Sequence, residues 1–208
     1  MFTTEPAPDR SRLGFTEAVK SNFAFVKKYG LKPVQEEVSL VRYQSEKVIL
    51  NVYHGRGSYE LGIEFEREEF PGEKFSLYDM LKWAKGAGKI EEIPTGGYQA
   101  SSREGVQRLV AQMAELVKRY AEPLLQGDAE IYQALRAQQS TDAAEYTREV
   151  HLRAVRKQAE TAWQDKDYET LLSLYSDMQG DLTPSEFMRF QYAEKQLLSV
   201  QNSHPKGE

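Results

Sequence analysis

The densest set of chemically capable side chains lies between residues 54 and 73. It contains His54 and Arg56, then Glu60, Glu64, Glu66, Glu68, Glu69 and Glu73, with Arg67 among them. Carboxylates at every second position share one side of an extended chain, because successive side chains of a strand point to opposite faces. Such a row can meet a basic partner through complementary potential. It can equally be a solvated face that discourages edge-to-edge association. Paired carboxylates also serve acid–base catalysis or hold a divalent metal, but one acid at every second strand position is no distinctive motif for either. His54 is the histidine best placed for a catalytic imidazole, yet no Ser or Asp arrangement attaches to it in the sequence. His151 falls on a helix face and His204 in a polar tail, and none of the three has a His or Cys neighbour at ligand spacing. Tyr53, Tyr59 and Arg56 are of the residue types that dominate interface energetics. The candidate binding set is therefore Tyr53, Arg56, Tyr59, Glu60, Glu64 and Glu66. No catalytic residue, metal site or cofactor is implied. GAGK at 86–89 lacks the six-residue frame and the Ser or Thr of a P-loop, and Thr95-Gly96-Gly97-Tyr98 has no helix following at the distance an anion site needs.

The elements that must position these residues read as a small antiparallel sheet. In the run 47–69 Tyr59, Leu61, Ile63 and Phe65 alternate with Ser58, Glu60, Gly62, Glu64 and Glu66, the period of a half-buried strand. Val48, Leu50 and Val52 precede it, and His54-Gly55-Arg56-Gly57 joins the two as a chain-reversing loop. Val34–Ser45 predicts one earlier strand, turning at 44–47, which makes a meander of three or four strands. Phe15, Val19, Phe23 and Val26 predict an amphipathic helix over 15–29, stopped by Gly30 and available to cover the sheet. Ser76 caps a short helix that ends at the glycines 86 and 88, and 86–102 is a long loop.

From residue 102 onward the pattern is helix alone. Val106, Leu109, Val110, Met113, Val117, Tyr120 and Leu124 trace more than five turns, with an end or kink near Pro123. Further helices are predicted at 130–138, 141–164, 167–178 and 184–200. The expected organisation is a flexible N-terminus 1–13, an α+β domain 14–126, an all-helical extension 127–200 and a flexible tail 201–208. At 208 residues and 40% hydrophobic content the chain is long enough for a substantial core. A net charge of −5 argues against a general nucleic-acid or anionic-membrane binder, and the lack of cysteine suits a reducing cytosol. With no apolar run of membrane-spanning length and no secretory h-region, a soluble cytoplasmic protein is expected.

Two resemblances add to this reading. AETAWQDKDYETLLSLYSDM followed by LTPSEFMRFQYAEKQL resembles one tetratricopeptide-type helix pair, without the glycine that the pattern places between the small residue and the aromatic. FAFVKKYGLK, LVRYQSEKVILNVYHGRGSYELGIEFER and FSLYDMLKWA resemble uncharacterised bacterial α+β domains, some of them found among toxin-immunity proteins. That likeness covers about the first half of the chain. It implies a non-enzymatic protein that binds another protein, a toxin or a defence-system subunit. Two alternatives stay open: a small enzyme with a site between the hairpin loop and loop 86–102, using His54, Arg56 and a carboxylate; and a homo-oligomeric scaffold paired through the C-terminal helices.

Overall fold

The computed structural model describes residues 10–94 and 96–202. The fold class is as expected: an antiparallel meander packed with helices, followed by an all-helical region. Five strands lie in the order β1-β2-β3-β4-β5: β1 (Lys32–Glu37), β2 (Leu40–Gln44), β3 (Val48–His54), β4 (Leu61–Arg67) and β5 (Lys74–Ser76). The segment read as a single first strand is a hairpin, because the chain turns at Val38-Ser39 and leaves Val38 exposed. An isolated apolar residue flanked by Glu37 and Ser39 is compatible with either geometry. The fifth strand is only three residues long, too short to show a period.

One face of the sheet carries Val41, Tyr43, Leu50, Val52, Ile63, Phe65 and Phe75, all buried, and the cross-strand register stacks them. Leu50 lies between Tyr43 and Phe65; Val52 lies between Val41 and Ile63. Each fully buried side chain of this kind contributes roughly 1.5–3 kcal/mol. The helices α1 (Phe15–Asn22), α2 (Leu77–Gly86), α3 (Arg103–Tyr120) and α4 (Glu122–Leu125) supply the other half of this core through Phe15, Val19, Met80, Leu81, Val110, Val117 and Leu124. The helix expected over 15–29 is broken: α1 ends at Asn22, and Ala24–Tyr29 continues as a 3₁₀ turn that closes on Gly30 in the left-handed region. Asn22 itself competes for the helix, its side-chain amide donating to the Ala18 carbonyl at 2.8 Å. Ser76 caps α2 in a reciprocal capping box with Asp79, and α3 ends at Tyr120 just ahead of Pro123.

The helices expected at 130–138 and 141–164 are one, α5 (Ala129–Gln164). The seam Ser140-Thr141 holds neither Gly nor Pro, so polar residues alone do not end the helix. Two compact units divide at Ser140/Thr141, within α5. In the first, Tyr132 and Leu135 of α5 join the sheet's core, and α5 runs along the short strand β5. There the Arg136 guanidinium pairs with Glu73 at 2.5 Å, the Gln139 amide donates to the Lys74 carbonyl at 3.2 Å, and Tyr132 meets Phe75 edge-on. The second unit packs Val155, Ala159 and Ala162 of α5 against Leu171 and Tyr175 of α6 (Tyr168–Ser176) and Ala193 of α7 (Pro184–Asn202). Arg156–Glu186 and Arg189–Glu160 ion pairs bind α5 to α7, and Arg148 pairs with Asp181.

Of the termini expected to be flexible, Arg10–Leu13 forms a 3₁₀ turn and residues 201 and 202 complete α7, while 1–9 and 203–208, including His204, lie outside the described residues. Among the described residues, no helix is long and apolar enough to cross a membrane.

Candidate functional site

The six candidate binding residues separate into three places. Tyr53, Glu60 and Glu64 come together on the second face of the sheet. Tyr53 stands opposite Gly62 in the β3/β4 register, and a side chain at 62 would collide with the phenol ring. The glycine is thus where the ring lies down across β4, an aromatic covering a cross-strand glycine. Burial pushes the Tyr53 phenol up from its ordinary pKa, and the carboxylates of Glu64 and then Glu60 add to the shift. Glu64 holds Lys74 at 2.9 Å across to β5. Glu60 is exposed and makes no ion pair among the described residues.

Arg56 and Tyr59 lie apart, in the β3–β4 connection. Tyr59 has a left-handed φ of 54°, so β4 starts at Leu61 and the predicted strand face loses its first member. Its ring is occupied: the Arg10 guanidinium sits 4.6 Å above it while donating to the carbonyls of His54 (3.2 Å) and Arg56. Glu66 is a correction. Its side chain is on the second face by register but only 6% exposed, with the carboxylate accepting the Gly72 N–H at 2.8 Å. It closes the Arg67–Glu73 turn, and its carboxylate is turned into that turn and not out to solvent.

His54 is buried and lines neither cavity beside loop 86–102, the place where one alternative expected a site. His54 ends β3, is 1% exposed and stacks on Phe15 at 5.8 Å between ring centres. Its Nε2 lies 2.9 Å from the Ala100 carbonyl, while the buried Nδ1 has no partner. Burial lowers its pKa below the usual 6.5, with the nearby Arg10 acting the same way and the Ala100 carbonyl opposing. It is a neutral core imidazole that pins the end of the loop. The loop itself closes on β4 as a partial sixth strand, with Leu61 N–H donating to the Tyr98 carbonyl (2.6 Å) and Ala100 N–H to the Tyr59 carbonyl (2.9 Å).

This closure makes the feature that sequence reasoning missed. Tyr98–Ala100 pairs with the start of β4 and β5 pairs with its end, so a cavity of about 480 Å³ opens at the strand's edge between them. Its floor is apolar, with Leu61, Ile63, Leu81 and Met113; its rim has Tyr53, Tyr78, Tyr98 and Glu60. Tyr78 is 60% exposed. Neither His54 nor Arg56 lines it. A second hollow, about 630 Å³, lies on the other side of Tyr98 against α3 and carries both Glu115 and Arg119, a balanced charge pair. The one signal in the sequence was Gly62, an out-of-place glycine inside a clean alternating strand. Among the described residues, no three His, Asp or Glu side chains gather as a metal site. Comparison with family models, with curated proteins and with solved structures finds no match to this chain.

Two outcomes follow from this geometry. Gly62→Ala gains roughly 0.5–1 kcal/mol of backbone preference and loses a similar amount of Tyr53 packing, so the urea midpoint moves little. The nuclear Overhauser contacts of the Tyr53 ring to residue 62 disappear. For His54, a folded-state pKa below the unfolded value means that the unfolded chain takes up the proton first as pH falls. Its contribution to stability is complete above about pH 6.5 and declines as pH drops from there toward the lowered folded-state value. Urea unfolding read by Trp83 fluorescence in a Trp163→Phe background should show a loss of stability between pH 7.5 and 5.5 that is smaller in His54→Gln.

Proposed function

We propose that this chain is a non-enzymatic protein-binding module that receives its partner at the edge of β4, over the Tyr53–Glu60–Glu64 cluster and the cavity beside it. The observation that carries the reading is the convergence of an exposed, unpaired carboxylate, Glu60, and two aromatic rims, Tyr53 and Tyr78, on one apolar hollow. Interfaces concentrate their energy where an aromatic-lined pocket accepts an anchor, with a polar rim excluding water around it. Burial of His54 removes the imidazole an enzyme reading would use, which favours recognition over catalysis. The resemblance of the first half to bacterial α+β domains, some of them found among toxin-immunity proteins, supports a toxin or a defence-system subunit of a bacterium as the partner class, and the cysteine-free composition fits the cytoplasm.

A second reading, self-association through the C-terminal helices, is favoured by four large apolar side chains left exposed on α7: Phe187, Met188, Tyr192 and Leu198.

The docking reading expects Glu60→Lys/Glu64→Lys to lose partners that the wild type retains in affinity purification from the native host, with a melting temperature close to wild type. Glu145→Lys/Glu149→Lys, an equal charge change on exposed α5, should retain them. Equal capture by both double variants would refute the site. For self-association, light scattering at rising concentration should give a mass above 23.8 kDa that returns to monomer in Met188→Glu/Leu198→Glu.

A further inference from the structure

Resting on that docking reading, we infer that the cavity at the edge of β4 selects a basic side chain of the partner protein, an arginine or lysine whose aliphatic stem lies on the apolar floor and whose charge rests at the rim. The charge pattern of the lining argues for it. Among the described residues around the cavity there is one carboxylate, Glu60, three phenols, Tyr53, Tyr78 and Tyr98, and no Lys, Arg or His. Phenol rings attract a cation over their faces, most strongly where water is excluded. Among the described residues Glu60 is paired with no cation, so an incoming guanidinium or ammonium displaces none of them. Glu64, the next carboxylate along the strand, is held by Lys74 and adds less.

Shape points the same way. Leu61, Ile63, Leu81 and Met113 form a dry floor below a charged and hydroxylated rim. A long side chain that buries its methylenes and keeps its head in water matches such a gradient, whereas an acidic side chain would meet like charge and a short apolar one would leave the rim unused. At about 480 Å³ the space lies in the range that encloses a drug-sized ligand, enough for one long side chain with its flanking peptide. The neighbouring hollow against α3 lacks this bias, since Arg119 offsets Glu115.

The test uses the full ¹⁵N-labelled chain and three probes that share a backbone and differ at the side-chain head: N-acetyl-arginine methylamide, its citrulline analogue and its norleucine analogue. The expected result is a saturable shift of the Leu61, Ile63 and Tyr98 amide signals with the arginine probe, and binding at least tenfold weaker with the other two. In Glu60→Gln, an exposed position whose replacement leaves the fold intact, arginine should fall to the citrulline level while citrulline is unchanged. Equal affinity for all three probes would overturn the charge selection and leave the docking reading standing, because an apolar anchor would still be seated. No shift with any probe, or shifts that follow protein concentration without a probe and so report a second copy of the chain, would overturn the inference outright. Failure of the docking reading shows separately, in the purification comparison of the two double charge reversals.

Discussion

The first unit depends on β3 having both faces out of water. Six of its seven residues are buried, and the strand is hydrogen-bonded on both sides, by β2 and by β4. One face obtains its cover from helices in the ordinary way of a half-polar sheet. On the other, Arg42 reaches from β2 and donates to Asn51 of β3 at 2.9 Å; farther along the same face the Tyr53 ring lies over Gly62 of β4, and Lys74 of β5 reaches Glu64 of β4. Burial of Asn51 and Glu66 is tolerable only because each has a hydrogen-bond partner. Packing on this face thus draws Tyr53 and Glu64 together, and the cavity opens beside them at the edge of β4.

Loop 86–102 belongs to the same account. Its end is extended at Tyr98–Ala100, and two backbone bonds and the His54 ring hold it there. It borrows the start of β4 but leaves the middle of that strand to the cavity. The proposed docking edge and the closure of the loop therefore draw on the same short stretch, residues 59–63.

How much of this was legible in the sequence varies with range. The alternation of Leu61, Ile63 and Phe65 gave the buried face of β4 directly, and the three-four spacing from Val106 to Val117 gave α3, because both are local periods. Glu66 was misread because it extends the alternating pattern perfectly; what buries it is a turn six residues ahead, where the Gly72 N–H finds its carboxylate. His54 was placed in a loop because an imidazole next to Gly55 looks like a turn residue, and its burial rests on Phe15 and Ala100, contacts that no local pattern encodes. The break between α1 and the following 3₁₀ turn, and the continuity of α5 across Ser140-Thr141, escaped for one reason: apolar spacing shows which face is inside and says little about where a helix stops. The cavity needed five non-consecutive segments to meet, around Tyr53, residues 60–63, 76–81 and 93–98, and Met113.

The outermost strand, β1, has a consequence of its own. An open sheet edge is a template on which further strands can add, the first step toward fibrils. In β1 Pro33 lacks the N–H such growth requires, an irregularity between Pro33 and Gln35 spoils the register, and Lys32, Glu36 and Glu37 put charge on the strand. Whatever meets the cavity at the edge of β4, the opposite margin of the sheet is equipped to refuse a further strand.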